Sequence, residues 1–400
     1  MATYYVELVT GNDANAGTAG APLLTVNAAI AKAFGPHDIR VAKTTAATTE
    51  GAATTLGWTF NSATITTSTD LSATFPGGTM IGKPTAAGNG AAETFYRVTS
   101  SNATTITLNR AYMGTTGNTI GCLKQTYVTT GTAAANAITN GTSGTVISGG
   151  WDLTGTPTQN GETWVKSNNL RTTANVAVLS YTVNTTISKI NMVETYYATQ
   201  TASGTNVLTI SNCTTYTYFR GHFANITTSS IVATDCVFQL ELNEIVYLAN
   251  ANNQSHSYTN CYFYNGINHL RFGASTNAAV VLSGNVFVGA SGASIFTNTF
   301  PSTINLDTST IKYCTTGFSV GIAGTEIIGG TFENCTTGIS ISTIIGLKVK
   351  NSTFTSCTTG IGTRPFGLLV ENCTFTGGTN QIYLDQYSGN SEVYDCTFTS

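Results

Sequence analysis

The stretch from Ile327 to Ser400 constrains this chain more than any other. It reads IIGGTFENCTTGISI, VKNSTFTSCTTGIGT, VENCTFTGGTNQIYL and VYDCTFTS, four near-copies of one short pattern. Anchored on their aromatic residue, the copies fall at Phe332, Phe354, Phe375 and Phe398, separated by 22, 21 and 23 residues. The same anchor continues backwards at Phe287, Phe263 and Phe238. A unit this short cannot bury its own apolar face, but stacked units cover one another, so the period predicts a solenoid.

The chemistry within the repeat narrows the choice. Val370, Asn372 and Thr374 alternate with Glu371, Cys373 and Phe375, and alternation is the period of a strand. Thr, Val, Ile, Phe and Cys suit a pleated, half-buried surface. No helical period appears, which argues against helical and leucine-rich repeats. Three residues before the anchors stand Asp235, Asn260, Gly284, Gly329, Asn351, Asn372 and Asp395. Asn, Asp and Gly tolerate a left-handed backbone, so one such bend per coil is predicted. Cys236, Cys261, Cys373 and Cys396 precede the anchor by two residues, with Ser352 as a variant, and Cys335 and Cys357 follow it by three. Like residues are therefore expected to stack along a coil. Of the nine Cys, those in this register are expected as buried free thiols rather than a disulfide framework.

On these residues, from about 145 to 400, the chain resembles a right-handed parallel β-helix of the pectate-lyase-like kind, the architecture of phage tailspikes. That resemblance implies a fold and no particular activity.

Composition excludes several functions. Only 9% of residues are charged and the net charge is −3, against about a quarter charged in ordinary domains. There is no basic footprint for nucleic acid. No run of apolar residues is long enough for a membrane helix. The start, MATYYVELVTG, has no basic region followed by an apolar run, so no signal peptide is visible. Free thiols without an export signal suggest folding in a reducing cytoplasm.

Taken in order, residues 1–43 read as a strand–helix–strand cap. TYYVELV alternates, and Asp13 to Gly17 reads as a plain Asn/Gly turn rather than a calcium loop. Thr25 is the predicted N-cap of a short helix carrying Val26, Ala29, Ile30 and Ala33, which Gly35 and Pro36 stop. Such a helix would plug the open end of the first coil. Residues 44–125 break the repeat. The runs WTFNSATITT, TMIGKP, TFYRVTS, TTITLNRAY and NTIGCLK predict a small antiparallel β-module. Their ordered series resembles a module common in phage virion proteins. The Gly-rich run at 84–91 lacks the Lys-Ser/Thr and helix of a phosphate loop. Residues 126–400 are then a parallel β-helix of about eleven coils. The expected fold class is all-β, a β-helix with a short N-terminal capping helix and an inserted antiparallel module. VYDCTFTS opens a coil that no further segment closes, so the last coil is expected to dock on another chain or to be covered by further residues.

Candidate chemistry clusters at 218–272, where three of the four His fall: Arg220, His222, Glu241, Glu244, His256, His269 and Arg271. Glu241 and Glu244 could form the paired carboxylates of a hydrolase, with His269 expected one coil above Glu244. Arg220, His222, Tyr247, His256 and Arg271 are candidates for glycan contact. Tyr216, Tyr218, Tyr258, Tyr262 and Tyr264 could stack on sugars. Surface polar residues bridging adjacent coils are the plainer explanation. Lys350 and Glu371, each four residues before an anchor, are expected as ladder neighbours. No zinc spacing, nucleotide loop or G-x-S-x-G appears, so no cofactor or metal is expected. The reading that emerges is a phage virion structural protein, a spike, fibre or decoration subunit, homotrimeric and assembled in the host cytoplasm with other virion proteins. It would contact host polysaccharide, without nucleic acid or membrane insertion. Its rivals are a tailspike-type depolymerase, hydrolase or lyase, and a non-viral β-helix carbohydrate-binding protein.

Overall fold

The structure is a computed structural model. It describes the chain except residues 33–34, 46, 85–91, 126–127, 130–137, 167–176, 202–205, 225–229, 249–254, 273–278, 298–302, 322 and 385–388. Within strands, the side chains of residues 52–53, 92–94, 128–129, 194–196, 200, 218–224, 246–248, 255, 279, 296–297, 342–345 and 363–366 are also outside it. The 84–91 run therefore lies almost wholly outside the described residues. The chain divides into two compact units, Met1–Ala42 with Thr129–Ser400, and Lys43–Val128.

The second unit is a closed antiparallel barrel. Its strands are Thr48–Trp58, Ser62–Thr67, Thr105–Tyr112, Ala92–Ser101, Met80–Pro84 and Gly117–Gln125, in that order around the barrel. Closure removes the free edges that short strands would otherwise expose. Leu56, Trp58, Ile65, Phe75, Ile81, Tyr96, Ile106 and Tyr112 fill its interior. The Trp58 indole donates to Thr119 Oγ1 at 3.0 Å, so the large ring is buried without a lost hydrogen bond.

The first unit is a right-handed parallel β-helix. One column of paired residues carries it, running Val165, Met192, Thr215, Phe238, Phe263, Phe287, Ile311, Phe332, Phe354, Phe375 and Phe398. The aromatic anchors of the sequence belong to this column. Its other members, Ile311, Thr215, Met192 and Val165, are non-aromatic and were not visible as anchors. In the last coils the rings stack almost parallel, with centroids 4.9, 4.7 and 5.1 Å apart and planes within 7°.

Two bends bracket the anchor strands of Phe263, Phe287, Phe332, Phe354 and Phe375. Asp235, Asn260, Gly284, Gly329, Asn351, Asn372 and Asp395 all have φ between 48° and 75°, the left-handed conformation predicted for that column. The sequence reading missed a second left-handed column, two residues after the anchor: Asn265, Gly289, Tyr313, Asn334, Ser356 and Gly377. Its mixed composition hides it in the sequence. A three-residue strand such as Thr374–Thr376 thus ends in a reversal on each side. The Gly of C-T-T-G has a different task. A Cβ on Gly338 would lie 2.5 Å from Gly360 O and 2.8 Å from the Phe354 ring. The side chain is absent so that the next coil's ring can enter.

All nine cysteines are free. Eight are buried, and Cys396, expected as buried, is only half-buried. Within the ladder, Cys236, Cys335, Cys357 and Cys373 point their thiols at carbonyl oxygens of the preceding coil, 3.5–3.7 Å away. Asn285 and Ser352 take the same position with stronger donors, at 2.8 Å and 2.7 Å. Burial pushes the Cys373 thiol up to about 11, so it stays protonated and inert.

The N-terminal cap is built as its residues dictate. Ala28 N–H donates to Thr25 Oγ1 at 3.1 Å and starts the helix Val26–Ala31. The Asp13 carboxylate accepts from Leu24 N, Thr25 N and Thr25 Oγ1 at 2.8–3.0 Å. Its oxygens brace the helix start, as a turn residue would. Asn27 Oδ1 accepts from Thr139 N at 2.8 Å and ties the helix to the strand Ile138–Asn140.

Candidate functional site

Two strands in adjacent coils, Glu244–Leu248 and Asn268–Phe272, carry Glu244, Tyr247, His269 and Arg271. They pair in parallel with Glu244 opposite Asn268, Val246 opposite Leu270 and Tyr247 opposite Arg271. Leu270 and Phe272 are buried, and Arg271 between them points outward with its side chain 36% exposed.

Glu244 and Arg271 form an ion pair between the two strands. Glu244 Oε1 accepts from Arg271 Nη1 at 2.6 Å, and the carboxylate side chain is 1% exposed. A buried carboxylate needs such a partner, because an unpaired charge there would be strongly disfavoured. The pair also fixes the planar guanidinium at the surface. Tyr247 stands opposite Arg271 in the same column by Cα register. Phe223 and Phe296 continue that column on either side. Glu241 is half-buried, and its backbone N–H donates to Thr217 O at 3.1 Å.

The two histidines lie instead inside the coil. His269 falls opposite Ile245, one position beyond the Glu244–Asn268 pair, because this coil is one residue shorter than the 25-residue step between Phe238 and Phe263. His269 therefore does not stand opposite Glu244. His269 is fully buried, stacked at 5.8 Å on Phe287, with Nδ1 2.9 Å from Ser294 Oγ. Ser294 was not anticipated, since coil lengths differ and its position could not be counted out. His256 is also fully buried, and its Nδ1 accepts from Ile231 N at 3.2 Å. Burial holds His256 down to about 4 and His269 down to about 3. Both are neutral at pH 7, facing the protein's own core.

The remaining candidates separate. Arg220 lies opposite Tyr197, and His222 opposite Thr199 and Val246, in strand register. The side chains of Arg220, His222, Tyr218 and Tyr247 lie outside the described residues. Tyr216 and Tyr258 are buried core residues. Tyr262 is 44% exposed, its ring parallel to that of Tyr264 at 6.2 Å. Lys350 bridges Glu326 and Glu371 at 3.3 Å and 3.2 Å, so the expected Lys350–Glu371 ladder exists. Among the described residues no group of three His, Cys, Asp or Glu side chains could hold a metal ion.

No family model matches this chain, and no curated protein matches its sequence. Solved structures do match. The crystal structure of GH136 lacto-N-biosidase from Eubacterium ramulus is similar with a TM-score of 0.51 at 9% identity, over 100% of this chain and 67% of that one. The tailspike protein gp49 from Pseudomonas phage LKA1 matches with a TM-score of 0.24 at 12% identity, over 86% of this chain and 67% of that one. The Gp54 tailspike of Acinetobacter baumannii bacteriophage AP22, solved in complex with A. baumannii capsular saccharide, matches with 0.25 at 13%, over 90% and 66%. At these identities the first likeness is one of fold, and the fold it shares with this chain is a parallel β-helix.

Proposed function

We propose that the chain is a phage virion structural protein, a spike, fibre or decoration subunit, whose β-helix adsorbs a host-surface glycan. The observation that carries this reading is Arg271, held at the outer face by the buried Glu244 carboxylate and aligned in register with Tyr247. A fixed, planar donor next to an aromatic position suits recognition of sugar hydroxyl and carboxylate groups. Low charge over a threonine-rich surface supports a body that packs sideways against copies of itself, so the assembly is a homotrimer. It forms in the host cytoplasm, where its thiols stay reduced, and joins other virion proteins.

The depolymerase reading would use Glu241 and Glu244 as a carboxylate pair. Glu244 is engaged with Arg271, which counts against a free general acid or nucleophile at that position. The test is binding of the purified chain to a panel of bacterial surface polysaccharides, with Arg271→Ala alongside. Saturable binding by the wild type, weakened at least tenfold in the variant, is expected. Release of oligosaccharides would assign the depolymerase instead, and absence of binding across the panel would remove the glycan reading. Sedimentation at micromolar concentration tests the trimer.

A further inference from the structure

Buried polar atoms without a hydrogen-bond partner are not spread evenly through the solenoid. Thr201 Oγ1, Thr215 Oγ1, Thr217 Oγ1, His256 Nε2, Tyr258 OH, Asn265 Nδ2 and His269 Nε2 all fall between residues 201 and 269. Among the described residues of the following coils, from 280 to 384, no buried side chain is left so. Each orphaned hydroxyl or ring nitrogen in a dry interior would cost about 1–3 kcal/mol. Seven within three coils are too many to leave unexplained in a folded protein.

Side-chain volume in the same coils points the same way. Thr215 occupies the column that Phe238 and Phe263 fill in the next two coils. Thr217 is paired with the buried Leu240 and is itself fully buried. Ala233 stands directly below Tyr258 in its column, where Ile210 and Leu282 are the neighbours. The Tyr258 ring leans on Phe238 at 6.4 Å, and Phe238 is the strand partner of Thr215. Two small side chains thus leave room next to the Tyr258 ring and the Thr215 hydroxyl.

We infer that the interior of the coils around Thr215, Ala233 and Tyr258 is a binding site for ordered water. The water molecules bridge Thr215 Oγ1, Thr217 Oγ1, Tyr258 OH and His256 Nε2. A site of this kind is polar, has several partners per molecule and has space beside small side chains, the conditions under which interior water is retained. The described coils from 280 to 384 leave no buried side-chain polar atom unpartnered, and they are expected to stay dry. Hydration also explains how two histidines and several threonines are tolerated in the lumen of a solenoid whose later described coils are mainly apolar inside.

The experiment uses the intact chain. A high-resolution crystal structure should show ordered water within hydrogen-bond distance of at least Thr215 Oγ1 and Tyr258 OH. Oxygen-17 relaxation dispersion should count long-lived water molecules in the wild type in solution. A Thr215→Val, Thr217→Val variant removes two partners at nearly constant volume. The expected result is a lower count and a melting temperature lower by about 2–4 °C. A dry lumen in the crystal with no long-lived water in solution would overturn the inference. So would a double variant with the wild-type water count, or one more stable than wild type, since Val relieves an unsatisfied hydroxyl in a dry core. The wild-type count stands by itself should the variant fail to fold.

Discussion

Coils 316–376 and coils 207–272 share one backbone and differ in what fills it. In the later coils the ring positions repeat. Phe332, Phe354 and Phe375 stack with planes within 7°, and Gly317, Gly338 and Gly360 each make way for a ring. In the earlier coils Phe238 and Phe263 are tilted by 31°, and threonine, histidine and tyrosine enter the lumen. Identical residues stack with identical geometry, so repetition gives a uniform apolar core. Where the repeat is broken, polar groups enter, and Arg271, paired with the buried Glu244, is exposed on the same coils. The contrast teaches that uniform apolar packing and clustered polar groups are divided along the solenoid rather than mixed within each coil.

The largest effect that would sharpen this contrast is acidification. His256 and His269 have folded-state values below the ordinary value near 6.5. The unfolded chain therefore binds more protons between about 6.5 and 4, and stability must fall as pH drops through that window. Together the two rings should cost on the order of 5 kcal/mol at pH 4. Amide exchange should rise first in the 207–272 coils. Uniform loss of protection along the solenoid would contradict the division. His256→Phe should remove part of the pH dependence.

Phe354→Ala comes next. It deletes a ring stacked on both sides and should cost about 3–5 kcal/mol in chemical denaturation. A cost near that of an exposed substitution would mean that the ring ladder is not what holds the later coils. Arg271→Ala leaves the buried Glu244 carboxylate unpaired, and a loss of about 2–3 kcal/mol is expected. Adding Glu244→Gln should recover most of it, and a double variant as unstable as the sum would show that the ion pair is not the coupling. The smallest effect concerns the bends. Asn372 has φ 51°, and Asn372→Val should cost roughly 1–2 kcal/mol because a β-branched residue resists that conformation. An unchanged melting temperature would count against strain at this column.

The legibility of the sequence follows the same division. The solenoid, the Asn/Asp/Gly bend before each anchor, the Cys columns and the Thr25 cap could all be read, because each is a local requirement repeated or bracketed in sequence. The second bend was not, since Tyr313, Ser356 and Gly377 share a backbone angle but no side-chain type. The cluster of His, Glu and Arg was found by its rarity in a chain with few charges. Which of its members face outward could not be found that way.

By itself the sequence determined that this chain coils, where the first bend of each coil falls, and that an antiparallel module interrupts it. Those outcomes rest on period, backbone tolerance and strand alternation, all local quantities. Only the tertiary structure decided that Glu244 meets Arg271 and that His269 turns inward to Ser294. Coil length varies by a few residues from step to step, and in a strand a shift of one residue exchanges inside for outside. The site therefore depends on a register that is summed over coils and fixed only when they stack.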